Sequence, residues 1–201
     1  MIPATKSLSL GYCVAEFGAL LSRSEITGKN GTELGIEPGM AAVMQLLGQA
    51  QRDKRSVYVI GNGGSASIAS HTVNDFVNVA KLRAYTIHDS SLLTCMANDY
   101  GYENAYARIL SEVANPKDVL IAISSSGNSK NIRNAAVQAV TSGMFVVTLS
   151  GFAHANPLRS LGDINVWLDS RIYGQVEIGH QFILHNLADR FGANGGELAR
   201  P

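Results

Sequence analysis

The sequence predicts an α/β protein: a doubly wound, five-stranded parallel sheet with two extra helices at the N-terminus. Three observations carry this. Short apolar, β-forming runs at 57–60, 83–87, 119–123, 145–149 and 164–168 alternate with longer stretches of helical periodicity. The runs are apolar almost throughout, as in strands covered on both faces. The two loops richest in Gly and Ser follow the first and third runs. In the flavodoxin-like order 2-1-3-4-5 those two strands flank the topological switch, where ligands bind beyond the carboxyl ends.

The elements follow in order. Residues 8–22 carry Leu10, Val14, Phe17, Leu20 and Leu21 at helical spacing. Residues 24–38 are Gly-rich and polar and read as a loop. Residues 40–52 form a second helix with Met40, Val43, Met44 and Leu47 on one stripe. Both helices precede the first strand, so they pack on the sheet's flank or against another subunit. After strand 57–60 comes a helix over 65–79, then strand 83–87, which ends at His88 and Asp89. Short helical turns at 91–96 give way to an irregular NDYGYE segment and a helix over 104–113. A turn at Asn115-Pro116 leads to strand 119–123, and the helix over 129–142 is stopped by Gly143. Strands 145–149 and 164–168 precede a final helix over 173–191, where Phe182 and Phe191 read as core. Residues 1–55 are thus N-terminal helices of the same domain, 56–192 the α/β domain proper, and 193–201 a flexible tail.

Composition narrows the function. The 201 residues balance 16 Lys and Arg against 16 Asp and Glu, and no basic run marks a nucleic-acid surface. Cys13 and Cys95 are far apart and read as reduced, buried thiols, which excludes a cysteine-rich zinc module. No apolar run approaches the roughly 20 residues of a membrane span. Glu16 interrupts the one candidate leader, so the expectation is a cytoplasmic protein with no membrane partner.

The stretch 56–76, SVYVIGNGGSASIASHTVNDF, reads as strand, tight loop and helix. Gly61, Gly63 and Gly64 bring backbone N–H groups close to a ligand, and Ser65 is placed to cap the helix. A helix N-terminus of this kind is an anion site, and phosphate is the expected anion. Ser124, Ser125, Ser126, Asn128 and Ser129 supply hydroxyls and an amide at a second helix start, more than a cap requires, with Lys130 the nearest cation. The loose G-x-G-x-x-A match of Gly61, Gly63 and Ala66, with Asp89 after the second strand, also suggests a dinucleotide site, but leaves the serine loop and the histidines unexplained. A Walker A lysine is absent. His71 and Asp75, four apart, share one helix face, a pairing that suits zinc. Glu177 and His185 are eight apart, about 80° around a helix, so both can lean toward one cleft. His180, His88 and His154 read as structural or surface residues.

GNGGSASIASH, MANDYG, ISSSGNS and the late pair His180 and His185 resemble the sugar isomerase (SIS) domain family, and more closely its phosphoheptose isomerases, over roughly 57–190. The resemblance implies interconversion of sedoheptulose 7-phosphate and D-glycero-D-manno-heptose 7-phosphate through an enediol(ate). It implies a homotetramer with the two early helices in the oligomer core, and one zinc ion per subunit. By position, substrate contacts fall on Asn62, Gly63, Gly64, Ser65, Asn98, Asp99, Ser124, Ser125, Ser126 and Ser129. The metal positions fall on His71, Asp75, Glu177 and His185, with His185, Asp75 and Glu177 as the proton-transfer groups. Two depart from the family's pattern: Asp75 stands where Glu is usual, and Glu177 where Gln is usual. Asp75 therefore reaches about 1.5 Å less far than the usual residue. These departures motivate one alternative, a non-catalytic SIS protein that binds a sugar phosphate or a protein partner, of the replication-initiator-associated type.

Overall fold

The central strands form where β-branched runs are buried from both sides. β1 (Glu25–Gly28), β2 (Ser56–Ile60), β3 (Arg83–Tyr85), β4 (Val119–Ser124), β5 (Phe145–Ser150) and β6 (Ile164–Trp167) make one sheet in this computed structural model, which describes residues 8–194. β4 is buried along its whole length and pairs in parallel with β2 and β5. β3 extends the sheet beyond β2, and β6 beyond β5, both in parallel. The order β3-β2-β4-β5-β6 is the expected one, and it leaves a crevice beyond the carboxyl ends of β2 and β4.

The sheet has six strands rather than five, and it is mixed. β1 lies antiparallel to β6, Glu25 opposite Trp167, inside the segment expected to be loop. Four residues, one of them Gly, give too little alternation to signal a strand; β1 exists because β6 offers an unpaired edge. The chain turns back after it through Asn30 and Gly31, both at positive φ, so that Leu34 N–H donates to the Ile26 carbonyl at 2.9 Å. Glu25 Oε2 accepts from Arg159 Nη2 at 2.6 Å and pairs with His154 Nε2 at 2.9 Å, tying β1 to the chain beyond β5.

The helices are α1 (Leu10–Ser22), α2 (Ile36–Arg52), α3 (Gly64–Asn78), α4 (Ser90–Tyr100), α5 (Ala105–Val113), α6 (Lys130–Thr141) and α7 (Tyr173–Asn194). α2 begins at Ile36 rather than Met40, because Pro38 falls in the first turn, where a missing N–H leaves no intrahelical bond unmade. α4 is one continuous helix where short turns and an irregular stretch were expected. Asp89, read as a strand end, is its N-cap, accepting from Ser91 N–H at 3.0 Å and Leu92 N–H at 3.1 Å. α7 runs past Phe191; of the expected tail, residues 195–201 lie outside the described residues.

Two cores form, one on each face of the sheet. Val57 and Val59 pack with α2, α3 and α7, while Tyr58 and Ile60 pack with α5 and α6, following the alternation of a strand. The stripe of α2 is core, but that of α1 is covered only at its end: Leu20 is buried, while Leu10 is 79% and Val14 62% exposed. Phe182, expected in the core, is also exposed; it meets Phe17 edge to face at 6.4 Å. Cys13 and Cys95 are exposed rather than buried, on the outer faces of α1 and α4. Among the described residues no helix is long and apolar enough to cross a membrane.

Candidate active site

Beyond Ile60 the chain enters α3 through Gly63, whose φ of 53° and ψ of −122° suit only glycine. Gly63 therefore takes the N-cap position expected for Ser65, which is buried within the first turn with its N–H on the Asn62 carbonyl at 3.0 Å. The leading amides of α3 face a cavity of about 330 Å³. The serine loop after β4 forms the opposite wall with Ser124, Ser125, Ser126 and Ser129, and Tyr173 and Glu177 of α7 close it. Among the described residues lining it, none is Lys or Arg.

The serine loop is rigid for visible reasons. Gly127 has a φ of +66°, and a Cβ there would overlap Asn156. Asn156 is itself buried, and its Nδ2 donates to Ser150 Oγ at 3.1 Å and to the Gly151 carbonyl at 3.2 Å. Ser124 Oγ donates to Ser129 Oγ at 3.2 Å, and Ser126 Oγ accepts from Asn128 N–H at 3.2 Å. Ser125 Oγ is buried without a hydrogen-bond partner, a donor left over for a ligand. Beneath the cradle His180 is fully buried, its Nε2 on the Ser150 carbonyl at 3.1 Å; burial pushes its pKa down to about 4.

Farther along the same two helices, His71, Asp75 and His185 converge, with one donor atom from each lying within 4.8 Å of the others. Asp75 Oδ2 is 3.3 Å from His71 Nε2 and 2.8 Å from His185 Nδ1, so the shorter carboxylate spans the gap between α3 and α7. The hydrogen bond to Asp75 raises the pKa of His185, and Asp189, 3.8 Å away, adds to it. Two half-exposed imidazoles and a largely covered carboxylate are a donor set that suits a zinc-like divalent ion with one position left for a ligand. Glu177, expected in the same centre, is not part of this cluster. Eight residues of helix rise about 12 Å, which puts it in the second turn of α7 while His185 stands near the middle. Its carboxylate lies over Gly64, where a Cβ would come within 2.6 Å of it.

The structure thus brings Gly63, Gly64, Ser65 and the four serines to one cavity, and His71, Asp75 and His185 to another point of the same helices. Asn98 and Asp99 do not line the cavity; both lie exposed on α4, Asn98 Nδ2 donating to Asp99 Oδ1 at 3.0 Å. Asn62 reaches the cavity, but its side-chain amide is committed to Asn131 and Tyr102. Tyr173 and Asp189 were not singled out from sequence, although each stands four residues from a selected residue of α7, Glu177 and His185.

A sequence model of the SIS domain matches residues 35–151. A phosphoheptose isomerase from Geotalea daltonii is 34% identical over 160 residues, covering 77% of this chain and 83% of its own. One from Helicobacter pylori is 34% identical over 152 residues, covering 73% and 79%. The solved phosphoheptose isomerase from Francisella tularensis superposes with a TM-score of 0.73 at 27% identity, over 78% of this chain and 86% of its own. That from Neisseria gonorrhoeae gives 0.72 at 25% identity, over 77% and 86%. The chain belongs to the SIS domain family, in its phosphoheptose isomerase branch.

Proposed function

We propose that this protein isomerises a heptose 7-phosphate, interconverting sedoheptulose 7-phosphate and D-glycero-D-manno-heptose 7-phosphate. The observation that carries the reading is that an anion cradle and a His–Asp–His cluster stand on the same two helices. The cradle takes the phosphate on amide and hydroxyl donors, and so fixes the sugar at the end remote from the reaction. From ketose to aldose, a base removes a proton from C1, the C2 oxygen is protonated in the enediol, and the proton returns to C2 as O1–H is lost. His185 and Asp75 are assigned to this transfer; their 2.8 Å hydrogen bond holds the imidazole in one orientation. Glu177, at the cavity's edge, is assigned as a second proton-transfer group. Ser124, Ser125, Ser126 and Ser129 hold phosphate oxygens, and Asn98 and Asp99 are assigned to hydroxyls. His71, Asp75 and His185 would hold one zinc ion per subunit, which would polarise the reacting oxygens as a Lewis acid. Protein supplied with zinc is expected to convert sedoheptulose 7-phosphate to the aldose; no conversion by protein that still binds the sugar phosphate would overturn the enzymatic reading.

The reading extends to assembly and location. Leu10 and Val14 of α1 and Ile178 and Phe182 of α7 are exposed apolar side chains on neighbouring helices, a surface suited to a second copy. A homotetramer with α1 and α2 at its centre is the assembly assigned, and a monomer mass by light scattering at micromolar concentration would overturn it. A phosphorylated sugar is retained inside cells by its charge, so the cytoplasm is the compartment assigned.

A further inference from the structure

The ladder between β2 and β4 ends at Ile60 and Ala122. Past that pair the sheet no longer fixes the distance between the two loops of the cradle. A pair of side-chain amides crosses the gap instead. Asn62 Nδ2 donates to Asn131 Oδ1 at 2.9 Å, and Asn131 Nδ2 donates back to Asn62 Oδ1 at 2.9 Å. Asn131 lies in the first turn of α6, two residues past Ser129, and is only 3% exposed. Its Oδ1 also accepts from Ile132 N–H at 3.0 Å, which fixes the orientation of the amide. The Tyr102 hydroxyl donates to the same Asn62 oxygen at 2.9 Å, and Tyr106 Oη donates to the Gly61 carbonyl at 3.0 Å. The glycine loop is therefore held from α6 and from the 102–106 segment at once.

We infer that Asn131 is a positioning residue of the sugar-phosphate site, acting through Asn62 to hold the glycine loop and the serine loop at the spacing that lets both close on one phosphate. That role rests on the cavity being a phosphate cradle. Asn131 does not line the cavity; it is a buried amide whose partner does. Amides at the head of α3 and hydroxyls before α6 reach the same oxygens only at one separation, and hydrogen bonds fall off steeply with distance and angle.

The test is a double-mutant cycle on the whole protein, with inorganic phosphate as the calorimetric probe and sedoheptulose 7-phosphate as substrate. Asn131→Asp keeps the acceptor for Asn62 Nδ2 and Ile132 N–H, and an acid in a helix's first turn favours the helix. It removes the donor and sets a carboxylate oxygen against Asn62 Oδ1. Asn131→Ser removes the pair without adding charge. Each is expected to raise the phosphate Kd and the substrate KM about tenfold while kcat changes far less, at temperatures where circular dichroism shows native structure. In an Asn62→Ala background neither should add a further loss, since the partner is already gone. Wild-type phosphate affinity in a folded Asn131→Ser variant, or losses that add in the double variants, would overturn the positioning role. If the wild-type protein takes up no phosphate, the cradle reading fails and the inference falls with it.

Discussion

At their N-terminal ends α3 and α7 meet over a cavity whose donors are backbone amides and serine hydroxyls, held by buried amides and by a glycine that no side chain could replace. Farther along, the same helices present His71, Asp75 and His185 as side chains that are 54%, 16% and 52% exposed. The first region needs shape and the second needs titration. A cradle whose described lining residues include no Lys or Arg can hold a dianion because preorganised dipoles need little rearrangement, and its donors carry no proton that ordinary pH removes. The His–Asp–His cluster is placed where water, protons or an ion can reach it.

Four measurements set the two regions apart. The largest effect is expected from His185→Ala, which should lower kcat by about 10² to 10⁴ and leave phosphate affinity unchanged, the range of a lost general acid–base group. Equal losses of kcat and phosphate binding would show that the two ends are not separate. Next comes acid stability, where two histidines of α7 act in opposite senses. His180, pushed down to about 4 by burial, is charged in the unfolded chain below its ordinary value of about 6.5 and neutral in the folded one. Its stabilisation is present above that value and is lost as pH falls from about 6.5 through 4, by up to about 3 kcal/mol. His185, with its pKa raised by Asp75, stabilises the fold below about 6.5 and loses that contribution as pH rises through its folded value. Urea titrations at pH 7 and pH 4.5 should show the acid loss, and His180→Gln should flatten it.

Metal retention is expected to change by about 10- to 100-fold in affinity on Asp75→Asn, whereas Glu177→Gln should leave it unchanged, because Glu177 lies with the cradle. Elemental analysis after dialysis distinguishes the two, and a loss in Glu177→Gln would join the regions into one centre. The smallest effect is expected from Ser126→Ala, about 1 kcal/mol of phosphate binding, or roughly fivefold in Kd. An unchanged Kd would leave the cradle to its amides alone.

The parts of this molecule legible in sequence are those where local chemistry and fold geometry agree. Five apolar runs gave five strands in the right order, and the Gly and Ser loops after two of them form one cavity. His71 and Asp75 are legible because helical spacing puts them on one face. Glu177 stands apart from His71, Asp75 and His185 because angular closeness on a helix ignores rise, and because the opening it fills is the missing side chain of Gly64 in a different element. β1 was hidden because its strand character comes from a partner edge, and α4 because its cap, Asp89, looks the same in sequence as the end of a strand. The Asn62–Asn131 pair joins residues far apart in sequence, and neither side of it announces the other.

The pairing of β1 with β6 has a consequence for how the chain comes off the ribosome. Glu25 and Trp167 face each other about 140 residues apart, so the N-terminal strand has no ladder to join until nearly all of the protein has been made. Closing so long an interval is entropically slow, and it follows assembly of the parallel strands between them. During synthesis the edge of the sheet that β1 will cover cannot yet exist, and α1 and α2 wait beside an unfinished core. The last strand to be translated thus recruits the first, and pulse-labelled hydrogen exchange during refolding should find the Thr27 amide, which faces β6 because Ile26 and Gly28 are turned to residues 32–34, protected later than those of β4 and β5.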